Sequence, residues 1–137
     1  MLKYETLDDQ QLREYSPLAL AFVGDAVLEL AVRTHLVSGA RKRMKELHLE
    51  TVEVVKAENQ ARLVRLIYGE LSEAEQDIVR RGRNARSTPP RNVAPADYGL
   101  SNGFEALLGY LYLKGDDERL AYLIEQALLR AEKIDDP

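Results

Sequence analysis

Two acidic residues stand where acids are costly. Asp25 interrupts the apolar run Leu18-Ala-Leu-Ala-Phe-Val-Gly-Asp25-Ala-Val-Leu-Glu29, and Glu105 interrupts Phe104-Glu105-Ala-Leu-Leu-Gly109. An unpaired ionised carboxylate in a protein interior is strongly disfavoured, so each needs a cation, a set of hydrogen bonds or a cleft. Small residues lie beside both: Ala21, Gly24 and Ala26 near Asp25, and Ala106 and Gly109 near Glu105. Gly109 comes four residues after Glu105 and shares its helical face. Small residues let helices approach closely, so two helices crossing here would bring the carboxylates together. Converging carboxylates with no basic residue between them suit a hard divalent cation such as Mg²⁺. Such an ion can activate water and stabilise charge on a phosphate undergoing in-line displacement. A plainer reading stands beside this one. Asn102 and Glu105 have the spacing of a capping box, Asp25 can cap a neighbouring helix or meet an arginine, and Glu29 suits a surface pair with Arg33 four residues on.

A second group of residues suits phosphate. Between Arg80 and Ala96 there are five arginines, Arg80, Arg81, Arg83, Arg86 and Arg91, and no acid. They are interleaved with Gly, Asn, Ser and Thr, a mixture fitted to backbone contacts. Few aromatics accompany them, which favours reading the shape of a duplex over stacking on single-stranded bases. Net charge is −4, but the distribution matters more than the sum. Acids gather towards both ends, and a further basic cluster comprises Arg41, Lys42, Arg43 and Lys45.

Other chemistries lack their residues. There is no Cys, which removes disulfides, thiolate metal sites and a cysteine nucleophile. His35 and His48 lack the paired spacing of a zinc helix, and no Gly-rich phosphate loop or Gly-x-Ser-x-Gly elbow is present. Nothing at the N-terminus has a signal-peptide profile, and the longest apolar stretch is broken by Asp25 and Glu29, so no membrane span is expected. The expected setting is cytoplasmic.

The elements that must hold these groups are helical. At 137 residues the chain, 1–137, has the size of a single domain with a real core, and no period-two strand pattern is evident. A short helix is expected over Asp9–Glu14. Ser16 and Pro17 then read as an N-cap and first helical residue of a helix reaching about Leu36. Its apolar residues fall on every side, which predicts a buried central helix. A long amphipathic helix follows from about Arg43 to Tyr68. Ser72 and Glu75 form a capping box for a helix to about Arg83. Residues 84–97, with three prolines, read as a long, functional loop. Helices over about Ser101–Leu113 and Asp117–Lys133 complete an all-α, compact bundle of about six helices.

The segment from Leu18 to Glu29 resembles the signature helix of the ribonuclease III family, and Phe104–Gly109 resembles that family's second motif. The likeness is closer to its Mini-III branch, through Arg80-Arg-Gly-Arg-Asn-Ala-Arg-Ser87, Tyr98-Gly-Leu-Ser-Asn-Gly-Phe-Glu105-Ala-Leu-Leu-Gly-Tyr-Leu-Tyr112, Leu47-His48, Ala57 and Gln60-Ala61. It spans nearly the whole chain with the motifs in order. The resemblance implies a ribonuclease III catalytic (endonuclease) domain without a separate double-stranded-RNA-binding domain. It implies a metal-dependent endoribonuclease that leaves 5′ phosphates, with Asp25 and Glu105 as catalytic residues and ligands to Mg²⁺, for which Mn²⁺ can substitute. Where full-length relatives carry further acids, this chain has Leu18, Ala21 and Asn102. Asn102 can still offer a carbonyl oxygen to the cation, while Glu29, Glu50 and Glu53 are candidates for a third carboxylate. The implied partners are double-stranded RNA, specifically precursor 23S (large-subunit) ribosomal RNA, and a second copy of the chain in a homodimer. Arg80, Arg81, Arg83, Arg86 and Arg91 would bind the RNA. Two rivals are a catalytically inactive dimeric RNA- or ribosome-binding module and an all-helical Mg-dependent nucleotide hydrolase. The second would use Glu-x-x-Glu pairs such as Glu50 and Glu53.

Overall fold

The computed structural model describes residues 2–135, with side chains to Ala131. Among the described residues the elements are α1 (Asp9–Leu12), α2 (Pro17–Ser38), α3 (Met44–Val55), α4 (Ala57–Ile67), a 3₁₀ turn (Tyr68–Glu70), α5 (Glu73–Asn84), α6 (Pro95–Lys114) and α7 (Asp117–Asp135), with no strand. The expected all-α class holds. Starts follow their caps: the Ser16 side chain accepts from Ala19 N with Pro17 in the first turn, and Ser72 and Glu75 form the capping box of α5. Gly115, at φ 85°, ends α6 in the left-handed region that only glycine enters freely.

The central helix is α6. It packs against α2, α5, α4 and α7, and Phe104, Leu107 and Leu108 are fully buried on it. Leu28 and Val32 of α2, Leu63 and Val64 of α4, and Leu123 and Ala127 of α7 complete the core around them. Three expectations need correction. First, α2 is not buried on every side: Leu18, Phe22 and Leu30 face solvent, Phe22 at 82% exposure. Second, the long amphipathic stretch breaks at Lys56, which is extended (φ −61°, ψ 149°). The side chains of Asn59 and Gln60 donate to the carbonyls of Val54 and Val55, both at 2.7 Å, and so satisfy acceptors freed by the break. Third, α6 starts at Pro95 rather than near Ser101, with proline in its favoured first-turn place. The irregular connection is therefore 85–94, and Asn102 and Glu105 lie well inside α6 rather than forming a capping box.

The chain ahead of α1 lies along the end of α6. Leu7 N donates to Leu113 O at 2.8 Å, Tyr4 stacks on Tyr112 with centroids 4.4 Å apart, and the Tyr4 hydroxyl donates to the Tyr112 carbonyl. Glu75, only 7% exposed, receives two hydrogen bonds from Arg119, at 2.8 and 2.9 Å, tying α5 to α7. Burial raises the Glu75 carboxyl, but Arg119 and Ser72 outweigh it and hold it below the ordinary range.

Candidate active site

Glycine against glycine sets the site. A Cβ on Gly24 would lie 1.7 Å from the Glu105 carbonyl oxygen and 2.8 Å from Gly109 N; one on Gly109 would lie 1.9 Å from the Leu20 carbonyl oxygen. α2 and α6 therefore cross backbone to backbone, as the small residues beside the two acids suggested. The carboxyl groups of Asp25 and Glu105, one from each helix, come within hydrogen-bonding reach at this crossing.

Their surroundings differ. Asp25 is on the exposed side of α2, contrary to its expected burial, while Glu105 is largely covered. Burial first, then the hydrogen bond with Asp25 and the charges of Asp25 and Glu29, push the Glu105 carboxyl up to about 9. At neutral pH Glu105 keeps its proton, because its carboxyl is taken out of water and faces the acids Asp25 and Glu29. Glu29 thus contributes negative field to the site, although its carboxylate is also paired with Arg33 at 3.0 Å, the surface pair its spacing suggested. Glu50 and Glu53 do not join it: they pair with Lys42 at 2.6 Å and Lys56 at 2.9 Å.

Asn102 sits one turn before Glu105 on α6 and is 7% exposed. Its Nδ2 donates to Ser87 Oγ at 3.1 Å, which leaves the carbonyl end of the amide for another partner. The site suits a divalent cation. Two apposed carboxyls, one forced to stay protonated, form a place where positive charge is missing. No group of three or more His, Cys, Asp or Glu able to hold a metal is gathered among the described residues. Mg²⁺ does not need one, since it is commonly bound by one or two carboxylates, with water and substrate phosphates completing the shell.

The arginines lie on the neighbouring helix and the connection after it. α5 meets α6 by a second glycine crossing: a Cβ on Gly82 would lie 2.7 Å from Gly103 Cα, and one on Gly103 would lie 2.5 Å from the Val79 carbonyl oxygen. Arg80 pairs with Asp77 at 3.0 Å. Arg81 lines a cleft of about 260 Å³ with Asp9, Arg13, Asp77 and Tyr110. Arg83 donates to Asn84 Oδ1 at 3.3 Å. Arg86 and Arg91, on the connection, are exposed and make no ion pair among the described residues. At the far end of that connection Arg65 of α4 holds Asp97 at 2.8 Å. Sequence reasoning missed Ser87, which carried no signal apart from its place among the arginines. It also missed the exposed face of α2, because an apolar residue looks alike whether it faces a core or a partner. His35 and His48 are both exposed.

Comparison with known proteins agrees with this arrangement. The Ribonuclease III domain family matches residues 18–116, a span that includes both Asp25 and Glu105. A Mini-ribonuclease 3 of Thermoanaerobacter sp. is 51% identical over 122 residues, 88% of this chain and 86% of the relative. Another, of Gloeobacter violaceus, is 47% identical over 118 residues, 86% of each. The fold is similar to a crystal structure of a Fusobacterium nucleatum protein, with a TM-score of 0.77 at 30% identity over 84% of this chain and 93% of that one. With relatives this similar along most of their length, and two acids joined at the crossing inside the matched span, the chain belongs to the ribonuclease III family, in its Mini-ribonuclease 3 group, and is an endoribonuclease.

Proposed function

We propose that the chain cleaves double-stranded RNA with Mg²⁺, or Mn²⁺ in its place, as a homodimer, and that it matures the ends of precursor 23S ribosomal RNA in the cytoplasm. The observation that carries the metal-dependent reading is the glycine crossing of α2 and α6, which brings the carboxyls of Asp25 and Glu105 together. Asp25 and Glu105 would hold the ion, with the Asn102 carbonyl as a further donor. When bound there, a divalent cation lowers the pKa of water and offsets charge on the phosphate. Glu105 presents its carboxyl from a largely covered position, and Asp25 presents its own from the exposed side of α2, where a large substrate can reach it. Arg86 and Arg91 lie open to a phosphate backbone, with Arg80, Arg81 and Arg83 on the helix leading to them. Such contacts read charge and shape more than sequence. Cleavage between phosphorus and the 3′ oxygen leaves a 5′ phosphate.

The exposed apolar residues of α2 support the dimer. Leu18, Phe22 and Leu30 face solvent, and Phe22 is three residues from Asp25, hence near the same helical face. A second copy seated there would cover them and set two acid pairs side by side, one for each strand. The nucleotide-hydrolase alternative loses its basis, because Glu50 and Glu53 are occupied by lysines.

The test is incubation of the purified protein with an RNA duplex and Mg²⁺, beside an Asp25→Asn variant and an EDTA control. Metal-dependent cutting that disappears in the variant, with folding and dimerisation unchanged, is expected. A variant that still cuts removes Asp25 from the mechanism.

A further inference from the structure

The connection 85–94 touches the acid-bearing helix at a defined point. Ser87 lies directly after Arg86, and its Oγ accepts the hydrogen bond from Asn102 Nδ2 at 3.1 Å, across 15 positions of sequence. The backbone at Asn102 is fixed from the α5 side, since a Cβ on Gly82 would come within 3.0 Å of the Asn102 carbonyl oxygen. Only the side chain of Asn102 is left to adjust. An asparagine amide has a donating end and an accepting end, and its terminal torsion is broad and roughly two-fold. Only the accepting end can ligate a cation.

We propose that Ser87 is a positioning residue: by holding the NH₂ end of Asn102 it aims the amide carbonyl for the cation beside Glu105, and it clips the arginine-bearing connection to the helix that carries the acids. This rests on the metal-dependent reading given above. RNA phosphate seated on Arg86 is then one residue away from the group that sets Asn102. Substrate seating and cation geometry are joined through a single hydroxyl.

The test compares Ser87→Ala, Ser87→Thr, Asn102→Ala and the double variant Ser87→Ala/Asn102→Ala with wild type. Two readouts are used: kcat and KM on an RNA duplex, and the Mg²⁺ concentration at the midpoint of the metal-induced rise in Tm, measured without RNA. Loss of one neutral hydrogen bond corresponds to a change of about three- to tenfold. For Ser87→Ala we expect kcat to fall and the Mg²⁺ midpoint to rise by about that factor, with KM moving less than about twofold. Ser87→Thr, which keeps the hydroxyl, restores both. Ser87→Ala also leaves the Nδ2 of buried Asn102 without its partner, so Tm without metal falls by a few degrees, and Ser87→Thr restores it. In the Asn102→Ala background, removing the Ser87 hydroxyl adds nothing further. An unchanged kcat and midpoint in Ser87→Ala, a rise in KM alone, failure of Thr to rescue, or a full additional loss in the double variant each overturns the proposal. A wild type that neither cuts duplex RNA nor gains Tm with Mg²⁺ removes the metal-dependent reading, and this proposal with it. A wild type that does both beside an indifferent Ser87→Ala removes this proposal alone.

Discussion

Glu105 stores an unfavourable charge arrangement that shows in stability. Its carboxyl titrates at about 9 in the fold instead of near 4.5. Between those values the folded chain keeps a proton that the unfolded chain gives up, so the metal-free protein loses stability as pH rises through this window. Below it the penalty is absent. Glu105→Gln removes the group. In metal-free buffer the variant should match wild type near pH 4 and melt higher by at least about 5 °C at pH 8. Saturating Mg²⁺ should narrow the gap by raising the wild type alone. Thermal melts at the two pH values, with and without the metal, check this, and an equal Tm throughout would mean that Glu105 is not held protonated. The two acids were legible in the sequence because they interrupt apolar runs. Their unequal surroundings were not, since the α2 run does not say which of its faces meets solvent. Ser87 was illegible for a simpler reason: a serine among arginines looks like loop surface until the fold sets it beside Asn102.

Helix ends were read correctly where caps announce them, as at Ser16 and Ser72. The break at Lys56 has neither glycine nor proline to mark it; Asn59 and Gln60 hold it by reaching back five residues to the last carbonyls of α3, and polar residues in a helical run look the same whether they bond backbone or face solvent. The early start of α6 could have been read, since Pro95 fits the first-turn rule that placed Pro17; three clustered prolines favoured a loop instead. The α2–α6 crossing gives a prediction whose sign is informative. In an open helix, alanine is favoured over glycine by about 1 kcal/mol. At Gly24 the new methyl meets the Glu105 carbonyl oxygen at 1.7 Å, and backbone there cannot swing aside as a side chain can. Gly24→Ala should therefore destabilise by about 3 kcal/mol in urea denaturation and displace Glu105 enough to impair cleavage. A stabilised variant would mean that the helices are further apart than described.

No helix among the described residues is long and apolar enough to cross a membrane; the apolar residues that α2 leaves exposed are the face proposed above for a second copy. Burying a phenylalanine side chain contributes about 1.5–3 kcal/mol, and at 82% exposure Phe22 forgoes most of it in a lone chain. In the proposed dimer this face is the seam, so Phe22→Asp should shift the protein from dimer to monomer in sedimentation or light scattering. Because its own acid pair survives, the monomer should keep metal binding while cutting of both duplex strands fails. A variant that remains dimeric would place the interface elsewhere. The two glycine crossings have a consequence for how freely this molecule can vary. Where helices meet through side chains, their separation depends on residue volumes and drifts as those residues change. Here α2, α6 and α5 are spaced by peptide groups in direct contact, so the distance from the acid pair to the arginine-bearing helix is set by main-chain dimensions common to all proteins. Phe104, Leu107 and Leu108, on the far side of α6, can be exchanged for other apolar residues without altering that distance. Mutational tolerance should therefore divide by face: wide in the core, and close to nil at four residues with no side chain at all.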